Sequence, residues 1–131
     1  MKKIAALLCT LVLTSVAFAA EKFPDISHDE LKKAIEEKQV TLIDVNGSDS
    51  YKAGHIPGAI DFAATKADLA SKLPSDKNAL VVAYCGNEQC GAYKAAAAKA
   101  AEMGYTNVKH YSKGIAGWKK SGEKTEKADK S

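Results

Sequence analysis

Cys85 and Cys90 bracket the short run Cys85-Gly86-Asn87-Glu88-Gln89-Cys90, and Gly91 follows it. A cysteine becomes a strong nucleophile once its thiol ionises. Ala79 to Tyr84, just before Cys85, is apolar and β-rich, and reads as a buried strand. Ala92 to Met103, just after Gly91, reads as an alanine-rich helix that stops at Gly104. Cys85 therefore falls at a strand–loop–helix junction. Backbone N–H groups in such a loop, with those of a helix start, can converge on one point and hold negative charge. The pattern predicts a Cys85 thiol that ionises more easily than a free cysteine. The cradle would be Gly86, Asn87, Glu88, Gln89, Cys90 and Gly91, and it would also suit an anionic substrate or a terminal persulfide sulfur. The competing reading is a buried, inert cysteine, and the junction weighs against it.

Cys90 has three readings. It could attack a sulfur on Cys85, releasing sulfide and leaving a Cys85–Cys90 disulfide. It could form a permanent disulfide that closes the loop. It could be a spare thiol. Spacing alone does not choose, because bond formation depends on how the two Cα atoms are placed.

Other chemistry is limited by composition. All 19 basic residues are lysine, so no guanidinium fork can clamp an oxyanion within this chain. This argues against the phosphatase and arsenate-reductase chemistries that need an arginine six residues after the cysteine, where Gly91 stands. Cys85, Cys90 and a stray histidine are an incomplete set for structural zinc, and His28 and His110 lack partners at ligand spacing. These spacings predict no structural zinc site.

The elements that must position Cys85 can be read in order. Ser27-His28-Asp29-Glu30 has the form of a capping box, with a helix to about residue 37. Val40 to Val45 reads as a strand ending near Asp44, whose carboxylate suits fastening a loop better than acid–base work. One helical turn is expected around Ser48 to Ala53, and a turn at His55-Ile56-Pro57-Gly58. Ala59 to Phe62 suits a short strand, and residues 65–73 a helix ended by Pro74. Asn107 to Tyr111 reads as a strand, and Ile115 to Lys120 as a last short helix with Trp118 inward. Residues 122–131 are charged and polar, and read as a disordered tail. Strands alternating with helices imply an α/β fold with a largely parallel sheet, whose ligands bind at the carboxyl ends of the strands.

The first residues read differently. Lys2 and Lys3 precede an apolar run from Ile4 to Val16, and Ala17-Phe18-Ala19 offers small residues at a cleavage site. That is the anatomy of a Sec-type signal peptide over residues 1–19, with no twin-arginine pair before the run. Cleavage after Ala19, or after Ala20 as the next choice, leaves a single domain over residues 20–121 with its tail. It also removes Cys9, so Cys85 and Cys90 are the mature cysteines, in a periplasmic or secreted setting where disulfides persist. Loss of Lys2 and Lys3 lowers the formal charge from +3 to +1, which gives no electrostatic case for nucleic acid or an anionic membrane.

Three signatures resemble the rhodanese-like family. Leu42-Ile43-Asp44-Val45 with Tyr51 and Gly54-His55-Ile56-Pro57-Gly58-Ala59 is similar to the first. Cys85 in its loop matches the position of the active-site cysteine. Gly104-Tyr105, Asn107-Val108 and Gly114-Ile115-Ala116-Gly117-Trp118 are similar to the closing one. The resemblance runs from about residue 26 to 121. It implies a five-stranded, mainly parallel sheet flanked by helices on both faces. It implies sulfur transfer, in which Cys85 takes the outer sulfur of thiosulfate, releases sulfite and holds a persulfide for a thiol or cyanide acceptor. His55, in a turn, could act as a general base, but the resemblance makes it a structural residue that bonds nearby backbone. The resemblance also implies that no metal or organic cofactor is needed. The sequence departs from the pattern at Asn46 and Ser50, where many members have Arg and Glu, at Cys90, where many have Arg, and at Lys113 in a glycine pair. Thiosulfate turnover is therefore expected to be weak, or the donor to differ. Lys113 either draws anions to the loop or is a solvated surface residue.

The leading reading is an exported sulfurtransferase that acts on a small sulfur anion and a thiol acceptor. A thiol–disulfide module using Cys85 and Cys90, and a silent rhodanese-fold binding domain, are the alternatives.

Overall fold

The computed structural model describes residues 23–128. The expected signal peptide, its cleavage site and residues 129–131 lie outside them. Among the described residues no helix is long and apolar enough to cross a membrane.

Ten elements follow in chain order: α1 (His28–Glu36), β1 (Thr41–Asp44), α2 (Ser48–Ala53), β2 (Ile60–Asp61), α3 (Phe62–Thr65), α4 (Leu69–Lys72), β3 (Val81–Tyr84), α5 (Tyr93–Glu102), β4 (Val108–Tyr111) and α6 (Gly114–Lys120). The four strands form one parallel sheet in the order β2-β1-β3-β4. The fold is α/β, as the alternation of elements predicts.

The strand count differs from the five expected. The lead-in at Phe23–Ile26 approaches the outer edge of β4 and makes one parallel bridge, Asp25 to His110. Ile26 N–H donates to His110 O at 2.8 Å, and His110 N–H donates to Pro24 O at 2.8 Å. Pro24 has no N–H to donate, which stops this pairing from extending back along the chain. The single helix expected over 65–73 is shortened to α4, and a separate turn, α3, precedes it. Asp61 caps α3 through Ala63 N–H at 3.1 Å, and the Ser71 hydroxyl bonds Asp68 O at 2.8 Å at the start of α4. Local side-chain bonds thus offer the backbone two short turns.

Strand alternation sorts the core into two layers. Val81, Ala83 and Cys85 face a layer with Ala96, Ala97 and Ala100 of α5 and Leu69 of α4. Val82 and Tyr84 face the opposite layer with Leu31 of α1, Ile56, Tyr111 and Trp118 of α6. The three α5 alanines are fully buried. Their small side chains let the helix lie close on β3, and that contact fixes where the helix begins relative to Cys85.

The charged segment after α6 is docked, against the expectation of a disordered tail from residue 122. Trp118 Nε1 donates to Lys124 O at 2.8 Å. Glu123 accepts from Lys32 Nζ at 3.1 Å. Glu126 pairs with His55 through two backbone bonds of 2.9 Å. Composition offered no apolar anchor, but backbone groups and one indole N–H supply the attachment.

Candidate active site

In the sheet register Asp44, Tyr84 and Tyr111 lie side by side, so β1, β3 and β4 end together. Cys85 is the next residue after β3, at the carboxyl edge of the sheet. The period of two turns its side chain toward the α5 layer, with 1 % of its surface exposed.

The loop after Cys85 is folded by its own polar groups. Gln89 N–H donates to Asn87 Oδ1 at 2.9 Å, and Cys90 N–H donates to Asn87 O at 3.2 Å. This tight turn returns Cys90 to Cys85. The two cysteines are free thiols, and Cys90 packs against the core layer that holds Cys85. Cys85 Sγ also lies 3.8 Å from Cys90 O.

Of the loop and helix-start N–H groups that the sequence pattern offered, the helix start supplies the one that meets the Cys85 sulfur. Tyr93 N–H donates to Cys85 Sγ at 3.0 Å. The donor facing Cys85 thus comes from the start of α5, whereas Gln89 and Cys90 N–H are used within the loop. Tyr93 acts here through backbone, so no side-chain motif marks it. Its only sequence signal is that it opens the helix.

The expected acidity is also redistributed. Burial pushes the Cys85 thiol up to about 12, and its bond to Cys90 adds to this, against the N–H groups of Tyr93 and Ala92. Cys90 is lowered: against its partial burial, the Cys85 thiol and the N–H groups of Ala92 and Gly86 favour its thiolate. Burial of the Cys85 sulfur thus opposes the easy ionisation expected of it, against the Tyr93 N–H that favours its thiolate.

α6 clamps the junction from the other side. Ile115 N–H donates to Cys85 O at 3.0 Å, and Ala116 N–H donates to Gly86 O at 2.9 Å. This close approach needs Gly114, which has a φ of +60°. Asn46, at one position where the sequence departs from the resemblance, lies beside Gly86; a side chain built on Gly86 would meet its Oδ1 at 3.6 Å.

Asp44 is buried on the face opposite Cys85. It accepts from Asn46 N–H at 2.8 Å and from Tyr84 O–H at 2.8 Å, and Tyr84 Oη in turn accepts Ile56 N–H at 3.0 Å. His55 Nδ1 bonds Tyr51 O at 2.8 Å, and its ring stacks on that of Tyr51. Neither group shares a hydrogen bond with Cys85 among the described residues. His28 bonds Tyr111 Oη at 3.0 Å, and His110 stacks on Tyr93. No cluster of three metal-ligating side chains is present among the described residues.

A groove of about 680 Å³ flanks the loop, lined by Asn87, Glu88, Gln89, Lys113, Gly117 and Lys120 among others. Lys113 is thus on a concave surface next to the loop, although neither cysteine lines that groove.

Comparison with known proteins fits this architecture. The Rhodanese-like domain pattern matches residues 27–121. The chain belongs to the rhodanese-like family. It is 37% identical over 98 residues to the HTH-type transcriptional regulator Rv0324 of Mycobacterium tuberculosis, covering 74% of this chain and 42% of that protein. It thus spans under half of that relative's length. It is 28% identical over 116 residues to YibN of Escherichia coli, an uncharacterized protein, covering 86% of this chain and 79% of YibN. The BH2092 protein of Bacillus halodurans superposes with a TM-score of 0.63 at 27% identity, covering 81% of this chain and 82% of its own. The 3-mercaptopyruvate sulfotransferase SseA of Escherichia coli shares the fold, with a TM-score of 0.66 at 18% identity over 83% of this chain and 52% of SseA. The rhodanese-like fold is therefore one that also carries sulfur-transfer enzymes.

Proposed function

We propose that this rhodanese-like protein is an exported sulfurtransferase that carries sulfur as a persulfide on Cys85. The observation that carries the reading is the position of Cys85: it ends β3 at the sheet's carboxyl edge, and Tyr93 N–H donates to its sulfur. That is the edge of a parallel α/β sheet at which ligands bind. In the forward step a thiolate attacks the outer sulfur of thiosulfate. The bond to the sulfite sulfur breaks, and sulfite leaves with its electron pair. A thiol or cyanide acceptor then takes the outer sulfur and restores the cysteine. No cofactor enters this balance. With no arginine in the chain, backbone N–H groups provide the contacts to the reacting sulfur, and Lys113 and Lys120 add positive charge beside the loop. Export rests on the signal-like segment at residues 1–19.

The test is the intact mass of the reduced protein before and after incubation with thiosulfate. Gain of one sulfur atom, mapped at the end point to Cys85, is the expected result. No gain with thiosulfate or with a persulfide donor would rule the carrier role out. A second reading, a thiol–disulfide module, is favoured by two free thiols, Cys85 and Cys90, brought together by one tight turn. A reversible loss of two hydrogens without sulfur uptake would select it.

A further inference from the structure

Cys85 presents a problem for any carrier role. It is 1 % exposed, and its sulfur is enclosed by Tyr93 N–H and Cys90. A donor such as thiosulfate, or an acceptor thiol, must bring its own sulfur into line with the sulfur it attacks. Cys90 is half-buried, packs against the core layer that holds Cys85, and its carbonyl lies 3.8 Å from the Cys85 sulfur. It is thus the more exposed thiol beside a buried one.

We propose that Cys90 is the port through which sulfur enters and leaves Cys85. This rests on the carrier reading above and deepens it. In loading, the Cys90 thiolate attacks the outer sulfur of the donor. The S–S bond to sulfite breaks, sulfite leaves with the pair, and a persulfide anion remains on Cys90. The Cys85 sulfur then attacks that outer sulfur. The new bond is Cys85 Sγ to outer sulfur, and the bond broken is Cys90 Sγ to outer sulfur. The Cys85 proton moves to the transferred sulfur, and Cys90 is left as thiolate. Unloading runs the same steps backwards, and an acceptor thiolate then takes the sulfur from Cys90. Every step conserves electrons within sulfur transfer, so no outside oxidant is required. The acidity of Cys90 agrees with this order, since the thiolate that starts and ends the cycle is the favoured one.

The experiment mixes the reduced full domain rapidly with thiosulfate and quenches with an alkylating agent. Fragmentation of the tryptic segment 78–94, which holds both cysteines, then locates the sulfur. Sulfur on Cys90 first and on Cys85 later is expected. In Cys90→Ser, whose hydroxyl can still hydrogen-bond Cys85, loading should slow about tenfold or more while the end point stays at one sulfur. Circular dichroism of the variant checks that its fold is kept. Sulfur on Cys85 at the earliest times, or loading of Cys90→Ser at the wild-type rate, overturns the port. So does release of sulfide with formation of a Cys85–Cys90 disulfide, which makes Cys90 a resolving thiol. If the wild type takes up no sulfur from any donor, it is the carrier reading that fails.

Discussion

Gly114 lies against the carbonyl of Cys85: a Cβ at that position would meet Cys85 O at 2.6 Å and the Gly86 carbonyl at 2.7 Å. These are backbone atoms, so no side-chain rotation can relieve the contact. The same residue has a φ of +60°, where a β-carbon is strained. Gly114→Ala should therefore destabilise the domain by about 1–3 kcal/mol and shift the Cys85 loop. Denaturant unfolding and sulfur loading read the two effects. An alanine variant with wild-type stability would remove α6 as the clamp on this junction.

The thiol pair fixes a labelling order. Cys90 is lowered from the ordinary thiol value, so its thiolate fraction at any pH below that value exceeds that of a free cysteine. Cys85 is pushed up to about 12 and stays protonated through neutral pH. A pH series of iodoacetamide labelling should show Cys90 reacting first, with its rate rising at lower pH than a free thiol. Cys85 should label late even in Cys90→Ser, because its burial remains. Labelling of Cys85 ahead of Cys90 at pH 7 would reverse the assignment of charge within the pair.

Tyr84 joins β3 to the loop around Ile56. Its hydroxyl donates to Asp44 and accepts Ile56 N–H, and all three groups are buried. Tyr84→Phe leaves a carboxylate oxygen and an N–H without partners, at a cost of about 1–3 kcal/mol. Because Tyr84 faces away from Cys85, the sulfur end point of the folded variant should stay unchanged. Urea unfolding beside sulfur uptake separates these effects. A loss of uptake at full stability would show that this network reaches the cysteine.

The docked segment after α6 gives a further expectation. Ending the chain at Gly122 removes the acceptor of Trp118 Nε1 and both backbone partners of His55. The loss should be about 1–3 kcal/mol, read as a lower Tm. A change within about 0.5 kcal/mol would mean that water replaces these bonds at little cost.

Much of this arrangement could be read in the residues. The strands at Val40–Val45, Ala79–Tyr84 and Asn107–Tyr111, and the helix from Ala92, are strong local patterns, and each lies within a residue or two of its observed bounds. Cys85 at the end of β3 follows from them. The helix expected over 65–73 failed through local side-chain bonds, and the other failures depend on partners distant in sequence. Residues 123–128 look loose by composition, yet they dock because Trp118, His55 and Lys32 offer groups that only folding brings near. Pairing at Asp25 stops at one bridge because of Pro24 and the edge of β4.

Strand and helix periodicity and turn residues act over short distances, so the α/β order and the junction at which Cys85 falls were legible in the residues, and the three signatures carried the family. Folding had to fix which backbone N–H faces the sulfur, that Cys85 and Asp44 lie on opposite faces of the sheet, and how deeply the Cys85 thiol is buried. Acidity is set by the balance of desolvation against hydrogen bonding at one atom. That balance depends on how α5, α6 and the Asn87 turn close around the two thiols, and no residue spacing records it.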